Sequence, residues 1–159
     1  MEANLLEKYN VKAMVPANIT SGMAGARVPM ANAKRVTVLV VLATGTSVTA
    51  NTVALKQHNA AASGTTKALE VTNHYYTKID AATEFTAVPV TVAEDTFNVH
   101  ALVGDDAAVL AFEVLAEDLD RDNGFNHISA DLGSAGVARY ASIVYIVDGS
   151  FKPAYAETV

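Results

Sequence analysis

An all-β chain, a single antiparallel β-sandwich or barrel of about eight strands, is the fold class this sequence predicts. Three observations carry it. Runs rich in Val, Thr, Tyr, Phe and Ile recur along the chain. Several of them alternate apolar and polar residues, the period of a half-buried strand. Gly-, Asp- and Ser-bearing turns separate them at the spacing of a sandwich or barrel. The 159 residues suit one domain, and folding at that length buries about 70% of the surface of the unfolded chain.

Taken in order, residues 2–15 predict a short helix with Leu5, Leu6, Tyr9 and Met14 on its apolar side, limited by Pro16. Residues 16–34, marked by Pro16, Gly22, Gly25 and Pro29, read as an extended arm. The chain thus divides into a helix and arm over 1–34 and a β domain over 35–159. Val36-Thr37-Val38-Leu39-Val40-Val41-Leu42 lacks clean alternation and predicts a strand buried on both faces. After the Gly45-Thr46-Ser47 turn, Thr52 to His58 alternates, with Val53 and Leu55 on one side. Residues 59–66 are a small-residue surface loop. Lys67 to Ile79 reads as one long strand, with Leu69, Val71, Asn73 and Tyr75 opposite Glu70, Thr72, His74 and Tyr76. Phe85 to Val92 follows, and Pro89 makes it an edge strand or a bulge. Phe97 to Val103 reads as a short strand. Ala107 to Leu115, Phe125 to Leu132 and Val137 to Val147 complete the set, the last with Arg139, Ala141, Ile143, Tyr145 and Val147 on one face. The predicted core includes Val38, Val40, Leu42, Leu55, Leu69, Val71, Leu110, Phe112, Val114, Ile143 and Tyr145.

Composition narrows the function. The net charge is −6, with 17 Asp+Glu against 11 Lys+Arg. That argues against a nucleic-acid binder, which needs clustered cations; the longest basic cluster is Lys34-Arg35. With no cysteine, disulfides are excluded and a zinc site would have to do without thiolates. The N-terminus lacks the basic region and apolar run of a signal peptide, and the longest apolar run, Val38 to Ala43, is too short to cross a bilayer. A soluble, unexported product is the expectation.

Candidate site chemistry is sparse. Asp118, Asp120 and Asp122 at spacing two resemble the opening of a calcium-binding loop, where alternate carboxylates curl around a hard cation. The glycine, Gly124, comes one place late, however, and Ser129 stands where such a loop places a glutamate. The competing reading is a turn whose Asp and Asn side chains bond their own backbone, with Gly124 at positive φ. His58, His74, His100 and His127 have no metal-ligand spacing. Ser63 and Ser134 lie outside any nucleophile elbow. Gly22-Met23-Ala24-Gly25 lacks the glycines and lysine of a phosphate cradle. Glu113 and Glu117 read as a solvated strand edge as readily as a glycosidase pair. Adjacent Tyr75 and Tyr76 point to opposite faces, so one packs while the other is available to an interface or shields the sheet. Tail aromatics Phe151 and Tyr155 stand beside them as interface candidates. No catalytic residue, cofactor or metal follows, and an enzyme is not expected.

The run Phe112-Glu113-Val114-Leu115-Ala116-Glu117-Asp118-Leu119-Asp120-Arg121-Asp122-Asn123-Gly124-Phe125 resembles small virion proteins of tailed bacteriophages and prophages. So does the later succession Ser142-Ile143-Val144-Tyr145-Ile146-Val147 and Pro153-Ala154-Tyr155. The likeness is specific over about residues 108–155 and looser before; the Arg-Tyr pair of such tails is missing here. It implies a capsid decoration (cement) protein, made in the host cytoplasm and bound to the outer surface of the head. The implied partners are the major capsid protein and other copies of this chain, as a homotrimer, with the 1–34 arm reaching a neighbour; no nucleic acid or membrane is implied. Alternatives are another virion role (tail tube, head completion or fibre-like protein) and a calcium- or carbohydrate-binding module built on the 117–124 turn.

Overall fold

Burial that alternates along residues 33–42 sets the frame of the molecule. In the computed structural model, which describes residues 9–80 and 82–149, Val36, Val38, Val40 and Leu42 are buried on one side of strand Ala33–Leu42. Twelve strands are described: β1 (Tyr9–Ala13), β2 (Ala17–Asn18), β3 (Val28–Pro29), β4 (Ala33–Leu42), β5 (Thr52–His58), β6 (Thr66–Ala68), β7 (His74–Ile79), β8 (Thr86–Pro89), β9 (Thr96–Asn98), β10 (Ala108–Leu115), β11 (His127–Leu132) and β12 (Tyr140–Gly149). A one-turn helix α1 (His100–Val103) precedes β10, and two 3-10 turns (Ala116–Asp118, Arg121–Asn123) fill the connection between β10 and β11.

These strands form two antiparallel sheets packed as a sandwich. The larger runs β1-β12-β4-β10-β7-β8, with β2 also on β12; the smaller runs β3-β11-β5-β6, with β9 also on β5. All eleven predicted core residues are buried between the sheets. Tyr75, Phe97 and Phe112 meet there with ring centroids 5.0–5.2 Å apart, the spacing at which aromatic pairs add to plain burial. Tyr145 of β12 crosses the core so that its hydroxyl accepts the Ala130 amide of β11 at 3.1 Å. Burial pushes that phenol up to about 12.

Several expectations are corrected. The helix expected over 2–15 is, over Tyr9–Ala13, the strand β1, whose backbone pairs with Asp148 to Val144 of β12; long-range ladder bonds override the helical spacing of Tyr9 and Met14. Of the rest, Met14 and Val15 are not helical, and 2–8 lie outside the described residues. The 9–34 segment is woven into the sandwich: β1 and β2 extend the larger sheet, β3 the smaller, and Ile19, Val28 and Met30 are core residues. Residues 36–42 are not buried on both faces. The long strand expected over 67–79 is broken, β6 in one sheet and β7 in the other. The strand expected over 97–103 is shared between β9 and α1, because after Phe97 the chain turns to give the Val99 and His100 amides to Asn51 O. Pro89 does lie on the edge strand β8.

Candidate functional site

The acidic turn is built from its own side chains. The Leu115 amide donates to Asp118 Oδ2 at 2.7 Å. Asp120 Oδ2 accepts from Lys67 Nζ at 2.7 Å and Asp120 Oδ1 from Asn123 Nδ2 at 2.8 Å. The bonds from Lys67 and Asn123 hold the Asp120 carboxyl below its ordinary range. Gly124 sits at φ 81°, ψ 10°, a left-handed conformation that glycine adopts at least cost. Asp118 and Asp120 are thus each committed to different protein donors, and Asp122 is exposed. Among the described residues, no group of three or more acidic, histidine or cysteine side chains is gathered as a metal ligand set.

The four histidines stand apart in role. Buried His58 bonds Ser129 Oγ at 2.8 Å through Nε2 and Thr66 Oγ1 at 2.9 Å through Nδ1. Burial, with Arg27 nearby, pulls its pKa below 6.5. His127, its ladder partner, is lowered by the same two causes in the same order. His74 bonds the Tyr76 hydroxyl at 2.6 Å and meets its ring edge-on. His100 Nδ1 is buried without a partner, as are both polar atoms of the Asn51 amide. Of the tyrosine pair, Tyr75 is core and Tyr76 half-exposed on the outer face. Ser63 gives only its carbonyl to Arg27, while the Ser134 hydroxyl donates to Thr20 O. Glu113 and Glu117 are exposed, and Glu113 lies 3.6 Å from Arg35. Phe151 and Tyr155 lie outside the described residues.

Two larger features gather residues that the sequence left unconnected. The first is the outer face of the larger sheet. Ladder register puts Leu39 beside Val144 and Ala111, Val41 beside Val109, Val144 beside Ala13, and Ile146 beside Val11. Val11 and Val41 are exposed to 37% and 39%, and Leu39, Val109, Val144 and Ile146 are half-buried. An antiparallel sheet with one face to water ordinarily carries polar residues there; this one carries an aliphatic patch, with Ser142 beside Val41, Thr37 beside Ile146 and Lys78 beside Val109.

The second is a notch of about 710 Å³ between β10 and the chain that crosses from β6 to β7. β10 pairs with β4 along its whole length but with β7 only from Ala108 to Ala111. Leu69, Val71, Val114 and Leu115 line the opening, together with Glu70, Glu113, Asp118, Asp120 and Lys67.

Sequence reading also missed the role of Arg139. It is 1% exposed, and its guanidinium donates to the carbonyls of Ala43, Gly104 and Asp106. Placement on the core face of a strand was the available signal, since an arginine there needs acceptors.

No protein-family model and no curated protein matches this sequence. Among solved structures, the chain is similar to the SPBc2 prophage-derived protein YomS, at 13% identity over 87% of this chain and 94% of that one, with a TM-score of 0.44. It is also similar to a chain from the structure described as "Bacillus endospore appendages form a novel family of disulfide-linked pili", at 13% identity over 89% and 88%, with a TM-score of 0.30. Both likenesses are too distant to carry a function or an assembly across to this chain.

Proposed function

We propose that this chain is a structural protein of a phage particle, and specifically a decoration protein on the outer surface of the head, with the major capsid protein and further copies of itself, as a trimer, for neighbours. The observation that supports the reading is the aliphatic outer face of the larger sheet. Contiguous apolar surface is characteristic of protein interfaces, and here it runs across β1, β12, β4 and β10 of the larger sheet. The acidic run 112–125 and the strand Ser142–Val147, which carry the sequence resemblance to virion proteins, lie on β10, β12 and the turn after β10. Part of the resemblance therefore coincides with the strands that build the face. Avidity from many repeated copies makes modest single contacts sufficient.

Particle reconstruction with the purified protein added to heads tests the position, and sedimentation of the free protein tests the trimer. Val41→Lys with Val144→Lys places two charges on the face and leaves the core side of both strands untouched. The double variant is expected to keep the parent's melting temperature and lose occupancy on heads. Full occupancy by the double variant, or density in the tail instead of on the head, would overturn the reading.

A further inference from the structure

We propose that the notch between β10 and the β6–β7 crossing is a slot for an extended, basic segment of a partner chain, bound as an added strand. Both walls offer unpaired backbone. On one wall, the amides of Leu69 and Val71 donate to Leu55 O and Glu94 O, so in this extended stretch the intervening residues face the other way. Glu70 and Thr72, which line the notch, make no backbone hydrogen bond among the described residues. On the opposite wall, β10 loses its β7 partner after Ala111. The Leu115 amide on that side is taken by Asp118, and Glu113, two residues earlier, points the same way because strand direction alternates. A strand laid between the walls would bond to both, the mode by which peptides extend sheets.

Charge chooses the occupant. Four carboxylates (Glu70, Glu113, Asp118, Asp120) line the notch against one lysine, Lys67. Lys67 is held by Asp120, and Arg35 lies 3.6 Å from Glu113. Among the described residues, Glu70 and Asp118 have no cationic partner. An acidic peptide or a nucleic acid is repelled by such a lining, whereas Lys or Arg side chains complement it. Leu69, Val71 and Val114 form the buried apolar floor and Leu115 is exposed, which accommodates the alternate, aliphatic side chains of the same strand. A bound partner strand would therefore read basic-aliphatic-basic. This slot is argued from pairing and charge alone and holds whether or not the chain decorates a head.

The test uses the isolated full chain and a fluorescein-labelled peptide, Lys-Val-Lys-Val-Lys-Val-Lys, with Glu-Val-Glu-Val-Glu-Val-Glu as control. Saturable binding of the basic peptide is expected, weakening with salt, with amide exchange at Glu70, Thr72 and Glu113 slowed by about tenfold or more. Glu70→Lys with Glu113→Lys, both exposed, should weaken binding by about tenfold or more at an unchanged melting temperature. Glu70→Lys alone gives a smaller loss and serves if the double variant does not fold. The proposal is overturned by equal binding of the acidic peptide, by undiminished binding to the charge-reversed variants, by protection confined to the outer sheet face, or by no saturable binding.

Discussion

Replacing Arg139 with Met should be among the most damaging conservative-volume changes in this protein. The guanidinium is 1% exposed and donates to three main-chain carbonyls, those of Ala43, Gly104 and Asp106. It thereby ties the start of β12 to the end of β4 and to the loop before β10. Burial lowers its pKa, with Asp105 and Asp106 acting in the opposite direction. Each bond from a charged donor is worth about 1.5–3 kcal/mol, roughly 5–9 in total. Against this, Met no longer carries a buried cation, which recovers several kcal/mol, and the exposed backbone near Ala43 and Asp106 can turn to water. A net loss of about 2–4 kcal/mol results. At roughly 2–4 °C per kcal/mol for a chain of this size, the melting temperature should drop by about 5–15 °C. Arg121→Met is the matched control: it also loses bonds to carbonyls, Ala116 and Met30, but from an exposed side chain, and should cost under about 1 kcal/mol. Calorimetry of the two variants decides the matter. An Arg139→Met protein melting within about 2 °C of the parent, or above Arg121→Met, would refute the argument that this cation is a structural clamp.

Two further outcomes follow from the turn and from the buried histidine. Gly124→Val forces a β-branched residue to φ 81° with nothing within 4 Å of its new Cβ, so the loss of about 1–3 kcal/mol is pure backbone strain; Asp120→Asn keeps an acceptor for Asn123 and should melt closer to the parent, and melts with and without calcium would expose a cation site by reversing that order. His58 has a folded pKa below its ordinary 6.5, so its unfolded form binds protons more readily; the stability it contributes is complete above pH 6.5 and is lost as pH falls through the folded pKa. Urea midpoints at pH 7.5 and 5 should therefore differ more for the parent than for His58→Gln, with His127 leaving a residual slope, and equal differences would show that burial of His58 is not the cause.

Strand positions were legible wherever side-chain alternation reports burial directly. The boundaries of β5 match the pattern from Thr52 to His58, and the whole predicted core lies between the sheets, because a period of two forces one set of side chains inward. Gly124 was legible for a similarly local reason, since an Asp-Asn-Gly turn needs positive φ at its end. Long-range decisions were not. Nothing in Tyr9–Ala13 announces that β12 will offer it a free edge, and α1 exists because Asn51 O captures two amides from distant sequence. The aliphatic run 36–42 was misread in an instructive way. Lack of alternation ordinarily means burial on both sides, but here the second side is the outer face, where Leu39 and Val41 meet Val144 and Val109 instead of a helix or a third layer.

The break in the strand expected over 67–79 and the notch beside it have one cause. Leu69, Val71 and Tyr75 keep their inward alternation straight through the crossing from one sheet to the other, because the core is shared and either sheet buries the same side of the chain. A pattern of period two reports which side faces the core, but is silent on which sheet supplies the hydrogen bonds. Those bonds change hands between Ala68 and His74: Leu69 and Val71 are bonded toward β5 and the Val71–Glu94 bridge, whereas His74 begins the pairing with β8. Where the strand leaves, β10 continues for four more residues paired with β4 alone, and the vacated edge is walled by the departing chain. Glu70 then lines it from one wall and Glu113 and Asp118 from the other, although Glu70 and Glu113 are 43 positions apart in the sequence. A binding edge formed this way has no linear motif, and only the pairing register reveals it.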